Sequence, residues 1–161
     1  MKRLIIVRHA KSSWEYEVND KDRPLMERGI NDAHIVASAI KEYTQGVDVV
    51  FSSPANRALH TCMIFLRNLD IPFAKLQIVK NLYDFSGNKV MSLLKSIPET
   101  YRTVLIFGHN DALTFIANEL GHQYIDNVKT SGVVVVDFKE QEWVNITKGK
   151  TIKTIFPKSL R

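Results

Sequence analysis

Leu4-Ile5-Ile6-Val7-Arg8-His9 is the stretch that decides the fold. Four apolar residues in a row, three of them β-branched, fit a strand buried on both faces. The run stops at an arginine and a histidine. Similar runs recur at Val47–Phe51, Val104–Phe107 and Val133–Phe138, with a further strand expected at Leu76–Val79. Trp143–Ile146 is predicted to pair with Val133–Phe138 across a turn at Glu140–Gln141. Between these runs the apolar period becomes helical. Met26, Ile30, Ala33, Ala37 and Ile40 share one helical face, as do Ala58, Cys62, Phe65 and Leu69. Val90, Leu93, Leu94 and Ile97 form a third stripe, and Leu113, Ile116, Ala117 and Leu120 a fourth. Strands interleaved with amphipathic helices predict an α/β fold with a mainly parallel central sheet flanked by helices.

Composition sets bounds on this picture. The 161 residues fit a single domain, 1–161. Apolar residues at 45% and charged residues at 24% are globular values, which excludes disorder for the bulk of the chain. One cysteine, Cys62, excludes a disulfide scaffold; it lies on an apolar stripe and is read as packing. No run approaches the ~18 apolar residues of a membrane helix. The apolar run after Met1-Lys2-Arg3 is too short for a signal core, so a cytoplasmic location is expected. The net charge of +5 favours anionic partners, but no basic run interleaved with aromatics points to nucleic acid. Lys148–Arg161 is read as a solvated basic end.

In parallel sheets ligands bind beyond the carboxyl ends of the strands. Here those ends carry one kind of chemistry: Arg8-His9, then Ser52-Ser53-Pro54 with Arg57 three residues on, then Gly108-His109. Arginine presents a planar set of donors that matches phosphate oxygens, and histidine titrates near neutrality. Ser53-Pro54 reads as the cap and first residue of a helix with Arg57 in its first turn, and Asn110 or Asp111 as the cap of another. The set suits a dianion with a nucleophile beside it. A metal site is not expected, since no Cys/His/Asp cluster has ligand spacing and two arginines would repel a cation.

Leu4–Ser12, Ser52-Ser53-Pro54-Ala55-Asn56-Arg57-Ala58-Leu59-His60-Thr61 and Val104–Asn110 together resemble the three signature blocks of the histidine phosphatase (phosphoglycerate mutase-like) superfamily. Asp22-Arg23-Pro24-Leu25 and Arg28-Gly29 look most like its SixA-type phosphohistidine phosphatase branch. The resemblance implies His9 as nucleophile, Arg8 and Arg57 as phosphate clamps, and His109 as a second donor, protonated when substrate is bound. Ser12, Asn110 and Thr130 are further candidates for substrate binding. No metal or cofactor is expected. Where the family more often has glycine, Ala10 follows the Arg-His pair, and its carbonyl is the expected acceptor for His9. Asp84 is the candidate general acid, which a phosphate ester would need; it would otherwise sit in a turn or cap the following helix. Imidazole is a better leaving group than an alkoxide, so a phosphohistidine substrate needs no strong acid. The segment between Arg57 and Tyr83 is long enough for one helix and one strand only, which suggests an open, shallow site. The expected activity is therefore a metal-independent phosphatase with a covalent phosphohistidine intermediate, acting on a phosphohistidine of a protein. A phosphatase of small phosphorylated metabolites using Asp84, and a non-catalytic phosphate-binding module, are the alternatives.

Overall fold

A computed structural model describes residues 1–161. β1 (Lys2–Arg8) lies between β4 (Thr103–Gly108) and β5 (Val133–Phe138) in a six-stranded sheet of order β3-β2-β4-β1-β5-β6. β2 (Val49–Ser52) and β3 (Leu76–Ile78) extend the parallel side. β5 and β6 (Lys150–Ile155) close the other side in antiparallel pairings. The helices are α1 (Glu27–Ala39), α2 (Asn56–Leu69), α3 (Asn88–Lys95) and α4 (Ala112–Leu120).

The two-residue period of a strand sends alternate β1 side chains into two separate cores. Ile5 and Val7 pack with Ala33, Val36 and Ala37 of α1 and with Cys62, Phe65 and Leu66 of α2. Leu4 and Ile6 pack with Val90 and Leu94 of α3 and with Leu113, Ile116 and Leu120 of α4. All four β1 side chains are fully buried. At ~1.5–3 kcal/mol for each buried side chain of this size, the strand is held by both layers at once. The four helical stripes are present, except that Met26 precedes α1 and is exposed and Ile97 lies beyond the end of α3. The expected parallel strands are present, and the fold is α/β with a mixed, mainly parallel sheet.

Two expectations are corrected. Trp143–Asn145 is a 3₁₀ turn and not a strand. Trp143 is fully buried against Phe138, with its indole N–H donating to the Tyr101 carbonyl at 2.7 Å. A side chain of that volume is better satisfied filling a core than standing on a sheet edge. The partner of β5 is β6, which belongs to the segment read as a solvated basic end. Thr151 and Ile155 of β6 point inward, and its lysines mark an edge strand. The C-terminal Arg161 also reaches back to α1, where its Nε and Nη2 donate to the Asp32 carboxylate, each at 2.9 Å.

Gly29 of α1 sits against the backbone of Lys11, two residues beyond His9. A Cβ added there would lie 2.3 Å from the Lys11 carbonyl oxygen and 2.8 Å from its nitrogen. Backbone cannot swing aside as a side chain end can. Gly29→Ala is therefore expected to lower unfolding stability by ~1–3 kcal/mol, as overpacking does, despite its better helix propensity. Urea titration of both proteins measures this, and an unchanged midpoint would contradict the contact.

Candidate active site

Parallel pairing in register sets Arg8 beside Gly108 and Ser52 beside Phe107, so three strands end at one edge. His9 and His109 each follow by one residue, and the His9 amide donates to the Gly108 carbonyl at 3.1 Å. Their ring centroids are 5.3 Å apart, and both residues are buried. The four residues expected to converge do so: Arg57 enters from the first turn of α2 and Arg8 from the end of β1.

The Nδ1 of His9 lies 2.7 Å from the Ala10 carbonyl. A carbonyl only accepts, so Nδ1 carries the ring proton and Nε2 keeps its lone pair. Burial first, then the charges of His109, Arg57 and Arg8, push the His9 ring down to about 3, against the opposing effect of the Ala10 bond. His109 is pushed down to about 3 as well, by burial and then by Arg57. Both rings are neutral near pH 7. His109 was expected to be protonated with substrate bound; without an anion beside it the ring is neutral. It can still donate. The Ser53 hydroxyl accepts from the Ala55 amide at 3.1 Å, and the one acceptor within reach of its own proton is His109 Nε2 at 2.8 Å, so Ser53 donates to the ring. The proton of His109 is then on Nδ1.

Both guanidiniums are held from outside the cluster by main-chain oxygens. Arg8 Nη1 donates to the Val128 carbonyl at 3.0 Å. Arg57 Nη1 donates to the Asp20 carbonyl at 2.6 Å and its Nη2 to the Asp20 carboxylate at 2.9 Å. Burial, and behind it the Arg57 charge, lower the Arg8 pKa, with Asp111 opposing. Four buried side-chain polar atoms lack a partner: Arg8 Nε, Arg57 Nε, His109 Nδ1 and Ser131 Oγ. Such atoms are rare and costly, and here all of them belong to one cluster. Three are N–H donors and the fourth a hydroxyl, a set suited to the oxygens of a phosphoryl group.

The other sequence candidates are placed differently. Asp84 is not positioned as a general acid. Its carboxylate accepts from the amides of Ser86, Gly87, Lys89 and Val90, capping α3. Burial raises its pKa, but the amide bonds outweigh burial and hold the carboxyl below its ordinary value. Asn110 spends both amide hydrogens, on Asn127 Oδ1 at 2.7 Å and the Val128 carbonyl at 3.0 Å, and its oxygen on Thr114. Its side chain has no donor left for substrate and instead fixes the loop that holds Arg8. Ser12 is buried and bonded to Arg23. Thr130 is half-buried and makes no side-chain hydrogen bond; its neighbour Ser131 is the residue under the site. The Ser131 amide donates to the carbonyls of both Arg8 and His9, each at 3.1 Å, in a left-handed conformation with φ 58°. Ser53 does not cap α2, which starts at Asn56 after Ala55; its hydroxyl is used on His109 instead. Sequence reasoning missed Asp20 and the Ser53–His109 bond. Asp20 lies in a loop without periodicity, and nothing local distinguishes it from Asp22. No three His, Cys, Asp or Glu side chains come together as a metal would require.

The family model of the histidine phosphatase superfamily (branch 1) matches residues 4–87, and the chain belongs to that superfamily, a phosphatase by class. An uncharacterised protein of Mycobacterium tuberculosis is 29% identical over 69% of this chain and 67% of its own length. The fold is shared with the protein histidine phosphatase SixA solved with tungstate, at a TM-score of 0.83 and 21% identity over 99% of each chain. It is shared more distantly with a phosphoserine phosphatase of Entamoeba histolytica in complex with 3-phosphoglyceric acid, at a TM-score of 0.68 and 15% identity over the whole of both chains. No helix is long and apolar enough to cross a membrane.

Two outcomes follow from this geometry. Both rings sit at about 3 when folded against 6.5 ordinarily, so between those values the unfolded chain binds more protons. Stability therefore falls as pH drops through 6.5 towards 3. His9→Gln is expected to flatten that slope, read as a smaller shift of urea midpoint between pH 7 and pH 5 than in the unsubstituted protein. For Asp84→Ala the expected result is a loss of ~1–2 kcal/mol, the cost of a helix cap, in the same titration. Phosphatase activity of the folded fraction should persist.

Proposed function

We propose that the chain is a phosphatase acting through a phosphohistidine at residue 9, with a phosphohistidine side chain of a protein as substrate. The carrying observation is that Arg8, Arg57, His109 and Ser131 each keep a buried polar atom without a partner in the cluster that holds two imidazoles 5.3 Å apart. His9 Nε2 attacks phosphorus, and the bond from phosphorus to the substrate nitrogen breaks. The electron pair stays on the leaving imidazole, which departs neutral if its other nitrogen carries a proton. The Nε–H groups of Arg8 and Arg57 and the Nδ1–H of His109 meet the charge on the equatorial oxygens. Water then attacks the phosphohistidine, releasing inorganic phosphate and regenerating neutral His9. Asp20 compensates the Arg57 charge, Arg8 is bonded only to a carbonyl, and an incoming dianion offsets the positive charge that remains.

The state of the carboxyl groups bears on the leaving group. Partial burial raises the Asp20 carboxyl, but bonds from Tyr83, Arg57 and Arg23 outweigh it and bring it to about 2. Asp84 is likewise held ionised. Neither is a proton donor near neutral pH, which favours a phosphoramidate over an alkyl ester. Phe85 is exposed and lies against His109 with ring centroids 5.1 Å apart, and exposed Trp14 stacks on the Arg23 guanidinium that bonds Asp20. Such a rim supports a substrate whose bulk stays outside while the phosphoryl group enters.

Brief incubation with a labelled phosphohistidine peptide followed by an alkaline quench is expected to leave acid-labile label on the protein. His9→Ala should carry none. Turnover by a wild-type protein that never becomes labelled would reject the covalent step.

A further inference from the structure

Asp20 is the one acidic side chain hydrogen-bonded to either arginine of the cluster. Its Oδ2 accepts from Arg57 Nη2 at 2.9 Å and from the Tyr83 hydroxyl at 2.6 Å. Its Oδ1 accepts from Arg23 Nη1 at 3.3 Å. The Asp20 side chain is 42% exposed, while that of Arg57 is 3% exposed. The carboxylate therefore stands between solvent and the buried guanidinium. Tyr83, its second partner, meets the His109 ring edge-on with centroids 5.4 Å apart. A fixed negative charge thus lies one guanidinium away from the unpartnered Arg57 Nε and one phenol away from His109.

Position and charge together point to selection. The outer nitrogens of Arg57 are engaged by Asp20, and the Nε edge is left for a phosphoryl oxygen. A substrate with one phosphoryl group meets two arginines and gains. A substrate with a second anionic group near the phosphate brings that group towards Asp20 and is repelled. A leaving group offering N–H or positive charge, as an imidazole does, is attracted. We infer that Asp20 is a charge-selecting residue of this site, discriminating against substrates that carry a second negative group beside the phosphoryl group and in favour of imidazole leaving groups. As to substrate class, this selection rests on the phosphatase activity proposed above; as to anion binding, it does not.

Asp20→Asn removes the charge and keeps an oxygen that can accept from Arg57 and Tyr83. The first readout is the ratio of dissociation constants for pyrophosphate and inorganic phosphate, measured by calorimetry on the full chain at low and high salt. The substitution is expected to shift that ratio towards pyrophosphate by about three- to tenfold at low salt, and by less at high salt, because the interaction of partly exposed charges is screened. The second readout is kcat/KM for phosphoimidazole against a phosphate monoester bearing a carboxylate, which should shift in the same direction. Asp20→Glu should retain the wild-type ratios, and Asp20→Ser should behave as Asp20→Asn does. Tyr83→Phe, which removes a bond but no charge, should leave the binding ratio unchanged. A binding ratio identical in wild type, Asp20→Asn and Asp20→Ser overturns the inference, as does a shift indifferent to salt. Should the wild type turn over neither substrate, the activity proposed above fails, and the binding ratio still decides whether Asp20 selects by charge.

Discussion

The in-register parallel pairing of β1 with β4 is the constraint on which the site depends. Arg8 opposite Gly108 makes His9 and His109 neighbours although a hundred residues of chain separate them. The His9 amide bond to the Gly108 carbonyl carries the pairing one residue past the strand ends. A slip of one residue would reverse which β1 side chains enter each core and would carry His9 away from His109. Ile5 and Val7 on one side, with Leu4 and Ile6 on the other, make that slip expensive, since each set is buried in its own layer. The geometry of the site is thus fixed by hydrocarbon packing several residues away from it.

Burying cationic chemistry at the strand ends needs an electrostatic explanation. Two arginines and two histidines in one place would repel strongly if all were charged. The two rings avoid this by staying neutral, their pKa values depressed chiefly by burial. Arginine cannot take that route. Arg57 is compensated by a carboxylate at the mouth, while Arg8 has only a carbonyl bonded to it. The remaining imbalance is what a dianion relieves on binding. An anion that binds only the folded site therefore adds to stability by mass action.

Much of this was legible in the sequence, and the reason differs from element to element. β1, β4 and the four helical stripes were readable because apolar periodicity reports burial directly. Arg8, His9, Arg57 and His109 were readable because each sits at a fixed offset from such an element. Trp143–Ile146 was misassigned because an apolar run bounded by turn residues has the same pattern whether it pairs or plugs a core. Lys148–Arg161 was misread because an edge strand with lysines on its outer face looks like a charged tail. Asp84 was readable both as an acid near the site and as the cap of the following helix, and its four amide partners and one hydroxyl make it the cap. Asp20 was invisible for the opposite reason: its importance comes wholly from Arg57 and Tyr83, which reach it from elsewhere in the chain.

The supporting contacts explain why the two arginines can be aimed without being freed. Asn110 ties down Val128, and the Val128 carbonyl ties down Arg8. Thr61 accepts from the Ala10 amide and donates to the Arg57 carbonyl, joining α2 to the turn that orients His9. Ser131 bonds the carbonyls of Arg8 and His9 from below. Each guanidinium is thereby gripped through an outer nitrogen while its Nε remains unpartnered. Gripping one end of a planar, rigid group fixes the direction of the other. Donors aimed in advance do not have to reorganise when charge develops on phosphorus, and that is where most of the stabilisation of a phosphoryl-transfer transition state arises.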